Sequence, residues 1–313
     1  MKKERILSFD FIRMSAVFLI LLTHYNARYL VFYMNPPMPQ NVVFTSTLFH
    51  TYTGNVGVSL FFILSGASLM YVYSERCDLA SFYRKRFIAI YPMFWAAYGL
   101  AYMYYFFVNK SVPYTVHQLK WNWLLTLIGM DGYLNSAVPT GYLLGEWFLG
   151  IIIIMYLIFP VLRKILLRAP VLSWIIILLL YIPFAFCERF PNFAASKLLL
   201  VRLPEFYFGM CFMKWIRKSN VIIMVCGAGF LAAITAVNPP VADSFRTTYI
   251  GISLFLILSY IGDKASHPAI TGFCKWISKY SYAVFLCHHI VIDQICNSFP
   301  METLVWENRY FLF

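Results

Sequence analysis

The chain has 313 residues, 61% of them apolar and 12% charged, with a formal net charge of +12 and a mean hydropathy of +0.69. Ordinary soluble domains are about 45–50% apolar and about 25% charged, so the composition excludes a soluble globular protein and predicts an all-α, polytopic membrane protein. The positive charge falls mainly in short stretches between apolar runs, which is a topology signal and not a nucleic-acid footprint.

The first apolar segment runs from Ser8 to Tyr33. It carries Arg13 near its start and His24 eleven residues later. Eleven residues of α-helix turn through about 1100°, roughly 20° from three full turns, so the two side chains share one face about 16 Å apart. A guanidinium and an imidazole on one stripe of a membrane helix are costly unless they meet a polar cavity or a partner. Taken singly, Arg13 also reads as an anchor snorkelling to head groups and His24 as a packed histidine bonded to a neighbour. Asp10, three residues before Arg13, can pair with it or favour the helix N-terminus. The segment is too long for a cleavable signal and no small-residue cleavage site follows.

Run length and flanking charge predict nine spans, roughly 9–31, 56–73, 88–108, 143–162, 171–186, 197–215, 221–237, 246–262 and 278–297. Sixteen of the 25 Lys and Arg fall in the N-terminal tail and alternate loops, which predicts a cytoplasmic N-terminus. In the second span Gly57, Ser65, Gly66 and Ser68 suit close helix packing or cavity lining. The loop before the third carries Arg84, Lys85 and Arg86, a topology determinant or a phosphate site. Residues 109–142 contain an apolar stretch, Trp121–Met130, too short to span, which reads as re-entrant or interfacial.

Later segments place further polar groups at membrane depth: Glu146 and Trp147 at the fourth span, Arg202 and Glu205 in the sixth, Tyr282 and His288 in the ninth. Arg202 and Glu205 can simply pair with each other. His288 and His289 are adjacent, so on a helix they point about 100° apart; they do not predict a metal pair, and no metal is expected. The seven scattered Cys read as small apolar residues of membrane helices.

Six motifs in order resemble the acyltransferase-3 family of bacterial integral-membrane acyltransferases. They are Phe9-Asp10-Phe11-Ile12-Arg13 with His24, the run Gly57–Gly66, and Tyr91-Pro92 after a basic stretch. Trp147–Gly150 with Tyr156 and Pro160, Phe206–Met210, and Ser281-Tyr282 with Leu286 and His288 complete the set. The resemblance implies a single domain over residues 1–313, a bundle of nine to ten helices, in a bacterial cytoplasmic membrane. It implies transfer of an acyl group, commonly acetyl, from cytoplasmic acyl-coenzyme A to a hydroxyl of an extracytoplasmic saccharide or related envelope molecule, with no resident cofactor. His24 is then the catalytic histidine. Arg13, Arg84, Lys85 and Arg86 bind the donor, and Asp10, Ser65, Glu146, Trp147, Arg202, Glu205, Tyr282 and His288 line or support the cavity. Two features depart from the family: Ala89 stands where a second Arg is usual, and a last helix after Val305 is missing or short. A polytopic transporter or flippase without acyl-transfer chemistry is the alternative reading, although no internal repeat is visible.

Overall fold

A computed structural model describes residues 4–30, 36–111, 121–144, 147–186, 189–190 and 193–313. The helices among them are α1 (Leu7–Asn26), α2 (Thr53–Tyr73), α3 (Leu79–Asn109), α4 (Trp123–Leu127), α5 (Asp131–Leu134), α6 (Trp147–Arg168), α7 (Pro170–Phe186), α8 (Leu199–Cys211), α9 (Val221–Val237), α10 (Asp243–Lys264), α11 (Pro268–Ser298) and α12 (Trp306–Leu312). Two short antiparallel hairpins join them, β1 (Thr47–Leu48) with β2 (Thr51–Tyr52) and β3 (Arg189–Phe190) with β4 (Phe193–Ala194). The fold is all-α, as expected.

The expectation of nine to ten spans is not met. Among the described residues four helices are long and apolar enough to cross a membrane: α1 continued to Tyr29, α2, α6 and α10. The expected spans 171–186 and 221–237 are α7 and α9, apolar but only 17 residues each, about 25 Å against a hydrocarbon core of about 30 Å. The stretch 197–215 holds the 13-residue α8, which passes into a π turn at Phe212–Ile216. Helices α3 and α11 have 31 residues each, but Tyr and Trp along α3 and Lys275, Lys279, the two histidines and Asp293 along α11 lower their mean hydropathy. Apolar run length overcounted because it ignored these polar tips and assumed unbroken helix.

The chain forms two compact units. One comprises Ile6–Phe61, Asn220–Pro240 and Tyr249–Phe313. Here α1 packs on α11, and small residues set the spacing of its other neighbours. A Cβ on Gly57 of α2 would stand 3.2 Å from the Ala16 carbonyl oxygen, and one on Gly262 of α10 would stand 2.8 Å from the Ser8 Cα. Buried Asn26 closes the end of α1: its amide donates to the Val43 and Thr45 carbonyls and accepts from the Val43 N–H. Leu22, Tyr25, Tyr29, Val43, Ile292 and Cys296 form a core there. The residues after Val305 form α12, whose Arg309 carbonyl accepts from the Tyr25 hydroxyl at 2.9 Å.

The other unit comprises Phe62–Ser219 and Val241–Thr248, together with Glu4 and Arg5. Its centre is a backbone-to-backbone crossing of α2 and α8. A Cβ on Gly66 would lie 1.9 Å from the Phe206 carbonyl oxygen, and one on Gly209 would lie 1.9 Å from that of Ile63. Neither position admits alanine unless the helices part, which is the small-residue packing expected of membrane helices. Arg163 of α6 donates to the carbonyls of Tyr73, Ser74 and Glu75, so a cation caps the C-terminus of α2.

The stretch around α4 and α5 is too short to span, as expected. It is tied to one face of α3, where Tyr91, Trp95 and Tyr98 follow at intervals of four and three residues. They donate to the carbonyls of Ile128 (3.0 Å), Leu127 (2.9 Å) and Gly141 (2.6 Å). Non-helical carbonyls near hydrocarbon need such donors. Pro92 neither begins nor ends α3, which starts at Leu79 with the Asp78 carboxylate accepting from the Ser81 N–H. The basic cluster Arg84-Lys85-Arg86 is therefore on the opening turns of a helix, not in a loop.

Candidate functional site

In the first unit α1 and α11 run parallel, and their polar residues meet as rungs at a constant separation of 265 residues. Arg13 Nη1 donates to Ser278 Oγ at 2.6 Å. His24 stacks against His289, ring centroids 4.1 Å apart, and against His288 at 4.8 Å. Arg28 pairs with Asp293. The rungs fall at 13, 24 and, in the turn that continues α1, 28, against 278, 289 and 293 on α11, so one face of α11 carries a polar partner for each.

Each rung is only partly dry. The Arg13 side chain keeps 29% of its exposure, while Asp10 beside it keeps 4%. Arg13 Nη1 stands 3.8 Å from Asp10 Oδ1, a loose i,i+3 pair. Ser278 is buried, His24 and His289 are half-buried and His288 is buried. A carbonyl can only accept, so the 2.7 Å contact between His288 Nδ1 and the Phe285 oxygen fixes the hydrogen on Nδ1. The lone pair of neutral His288 is then on Nε2. Tyr282 stacks on Phe285. An apolar cavity of about 450 Å³ is lined by Met14, Val17, Leu21, Leu60, Leu254 and Ile277 among others.

Although His288 and His289 are adjacent on α11, their rings do not point about 100° apart. Both rings turn onto His24, because 100° separates the Cβ directions and χ rotation brings the rings back to 4.5 Å from each other. Sequence reading missed Ser278, Arg28, His289 and Asp293 as site residues. The signal was present as matched spacings, eleven and four residues on each segment, but only contact between the two helices gives them meaning.

The second unit holds the other expected residues in two places. Arg202 and Glu205 form an ion pair inside α8, Nη1 to Oε1 2.9 Å, with side chains 1% and 0% exposed. Arg202 Nε also donates to the Ser196 carbonyl at 2.7 Å, and the guanidinium lies 5.8 Å from the Trp147 ring centre. Trp147 packs in turn on Phe62. This is the self-paired reading. Glu146 lies outside the described residues. Ser65 is half-buried on α2. Arg84 and Arg86, with Tyr83, Tyr91, Ile153 and Tyr156, line a cavity of about 390 Å³ between α3 and α6. Arg86 stands 5.7 Å from the Tyr156 ring centre, and its buried Nε has no hydrogen-bond partner among the described residues. Lys85 is exposed.

One buried carboxylate was not foreseen. Asp131 opens α5; its Oδ1 accepts from the Gly132 N–H at 2.9 Å and its Oδ2 has no partner among the described residues. Burial pushes its pKa up to about 7.

A family model described as "Acyltransferase domain", that of the acyltransferase-3 family, matches residues 6–299. A protein named acyltransferase MdmB, from Streptomyces mycarofaciens, is 25% identical over 278 residues, covering 79% of this chain and 70% of its own. No solved structure matches.

Proposed function

We propose that this protein, which belongs to the acyltransferase-3 family and is therefore a membrane acyltransferase, moves an acetyl group from acetyl-coenzyme A to a hydroxyl of an extracytoplasmic saccharide or related envelope molecule, with His24 as its catalytic histidine. One observation carries the reading: His24 and Arg13, on one face of α1, both meet polar side chains of α11.

In this reading His24 takes the proton of the acceptor hydroxyl as general base. The hydroxyl oxygen attacks the thioester carbonyl carbon, the C–S bond breaks, and coenzyme A leaves as its thiolate and takes up a proton. A polyanionic coenzyme A cannot enter hydrocarbon, so its phosphates fall to basic groups; the donor-binding candidates are Arg13 in one unit and Arg84, Lys85 and Arg86 in the other. The unpartnered Nε of Arg86 and the cavity it lines support that role. The apolar cavity that Met14 and Val17 of α1 help line suits the donor's thin pantetheine arm and acyl group. The N-terminus faces the cytoplasm by its charge, the membrane is a bacterial cytoplasmic membrane, and residues 1–313 act as one acyltransferase domain.

The test is transfer of label from acetyl-coenzyme A into the saccharide-containing fraction of membranes bearing the protein, against membranes lacking it. Label in that fraction only when the protein is present is the expected result. Label that stays on coenzyme A with every saccharide fraction tried, or that enters only lipid, contradicts the assigned acceptor.

A further inference from the structure

Three imidazoles meet at the middle rung of the α1–α11 face, and one nitrogen from each lies within 4.8 Å of the other two. A tetrahedral Zn²⁺ with Zn–N of about 2.0–2.1 Å sets its nitrogens about 3.3 Å apart. The rings therefore have to close by roughly 1.5 Å at most, which small χ changes in half-buried side chains supply. His288 is already oriented for ligation. Its Nδ1–H donates to the Phe285 carbonyl, the outer contact by which metal-binding histidines fix their tautomer and aim the other nitrogen. Arg28, one turn further along, carries its own counter-charge in Asp293.

We propose that His24, His288 and His289 form a binding site for a divalent transition-metal cation of the zinc class. Three neutral nitrogens suit such a cation and not Mg²⁺ or Ca²⁺, which take oxygen ligands. The site draws on the lone pair that the proposed reaction asks of His24. Bound cation and proton transfer by His24 then exclude one another, and the cation inhibits transfer. That consequence rests on the general-base role of His24; metal binding itself does not.

The test uses tag-free, full-length protein in detergent, stripped by chelator and titrated with Co²⁺ while its visible absorption is followed, with Zn²⁺ as competitor. The expected result is one Co²⁺ per chain, displaced by Zn²⁺. His288→Ala and His289→Gln each weaken binding by about tenfold or more while melting like wild type. No Co²⁺ signal from the wild type, or wild-type affinity in both variants, overturns the site. In the transfer assay Zn²⁺ inhibits the stripped enzyme, and His289→Gln needs at least about tenfold more Zn²⁺ for the same inhibition; equal sensitivity overturns the link between cation and reaction. Transfer that survives in His24→Ala while its Co²⁺ binding is lost removes the general-base reading and leaves the metal site standing.

Discussion

Two regions of this protein hold a guanidinium in an apolar setting, and they handle it in opposite ways. Arg202 is enclosed: its partner Glu205 is on the same helix, both side chains are almost wholly buried, and Ser196 and Trp147 stand beside it. Arg13 is left open. Its carboxylate neighbour is loose at 3.8 Å, its hydrogen bond goes to another helix, and close to a third of its surface stays accessible. A buried ion pair gains little over apolar packing but is costly to break, so Arg202 and Glu205 serve the fold. A cation that keeps close to a third of its exposure, on the face that also carries His24, is the one we propose to meet a ligand. We propose that burial and enclosure, not charge alone, separate structural from chemical roles here.

That contrast can be broken experimentally, and the largest effect belongs to the closed pair. Glu205→Gln leaves Arg202 buried against a neutral partner and is expected to cost about 3–5 kcal/mol of stability, read as a lower melting temperature in detergent. A double change to Met and Leu is expected to recover most of that loss. If Glu205→Gln melts like wild type, the pair is not structural and the contrast fails.

Asp131 is a smaller case of the same closure. Its folded pKa, about 7, lies above the ordinary carboxylate value of about 3.9. Between those values the folded state holds a proton that the unfolded chain has released. Its contribution is therefore complete below about pH 4 and is lost as the pH rises towards 7. Asp131→Asn is expected to stabilise the protein at pH 8 by on the order of 2 kcal/mol and to flatten the melting profile between pH 4 and 7. An unchanged profile would show that water reaches the carboxylate.

The open side predicts a subtler effect. Arg13→Lys keeps the charge but loses the planar fork. The apparent affinity for acetyl-coenzyme A is expected to fall roughly tenfold, about 1.4 kcal/mol, with melting within about 0.5 kcal/mol of wild type. A change in melting without a change in donor affinity would move Arg13 into the class of Arg202.

The sequence shows part of this clearly and part not at all. Arg13 and His24 can be placed together because a helix period fixes their angle, and the Gly57 and Gly66 packing follows from residue size. Pairing between Arg202 and Glu205 follows from their i,i+3 spacing. By contrast, no local signal reveals that α11 lies parallel to α1 in a register that brings Ser278, His289 and Asp293 to Arg13, His24 and Arg28. Rotation about χ also defeats any argument from Cβ directions for His288 and His289. The number of membrane-crossing helices fails for a related reason. Run length cannot see that Phe212–Ile216 leaves the α-helical pattern, or that the tyrosines of α3 are spent as donors to the segment around α4 and α5. Asp131, flanked by Met130 and Gly132, reads as an ordinary turn; only the fold around it makes it dry.

The central claim is that the open face of α1 does chemistry through His24. The most direct measurement is the rate of label transfer from acetyl-coenzyme A per folded molecule, in wild type and His24→Ala, with melting followed on the same preparations. The account predicts a loss of about 10²–10⁴-fold with melting close to wild type. Transfer at the wild-type rate in a folded His24→Ala protein would contradict it.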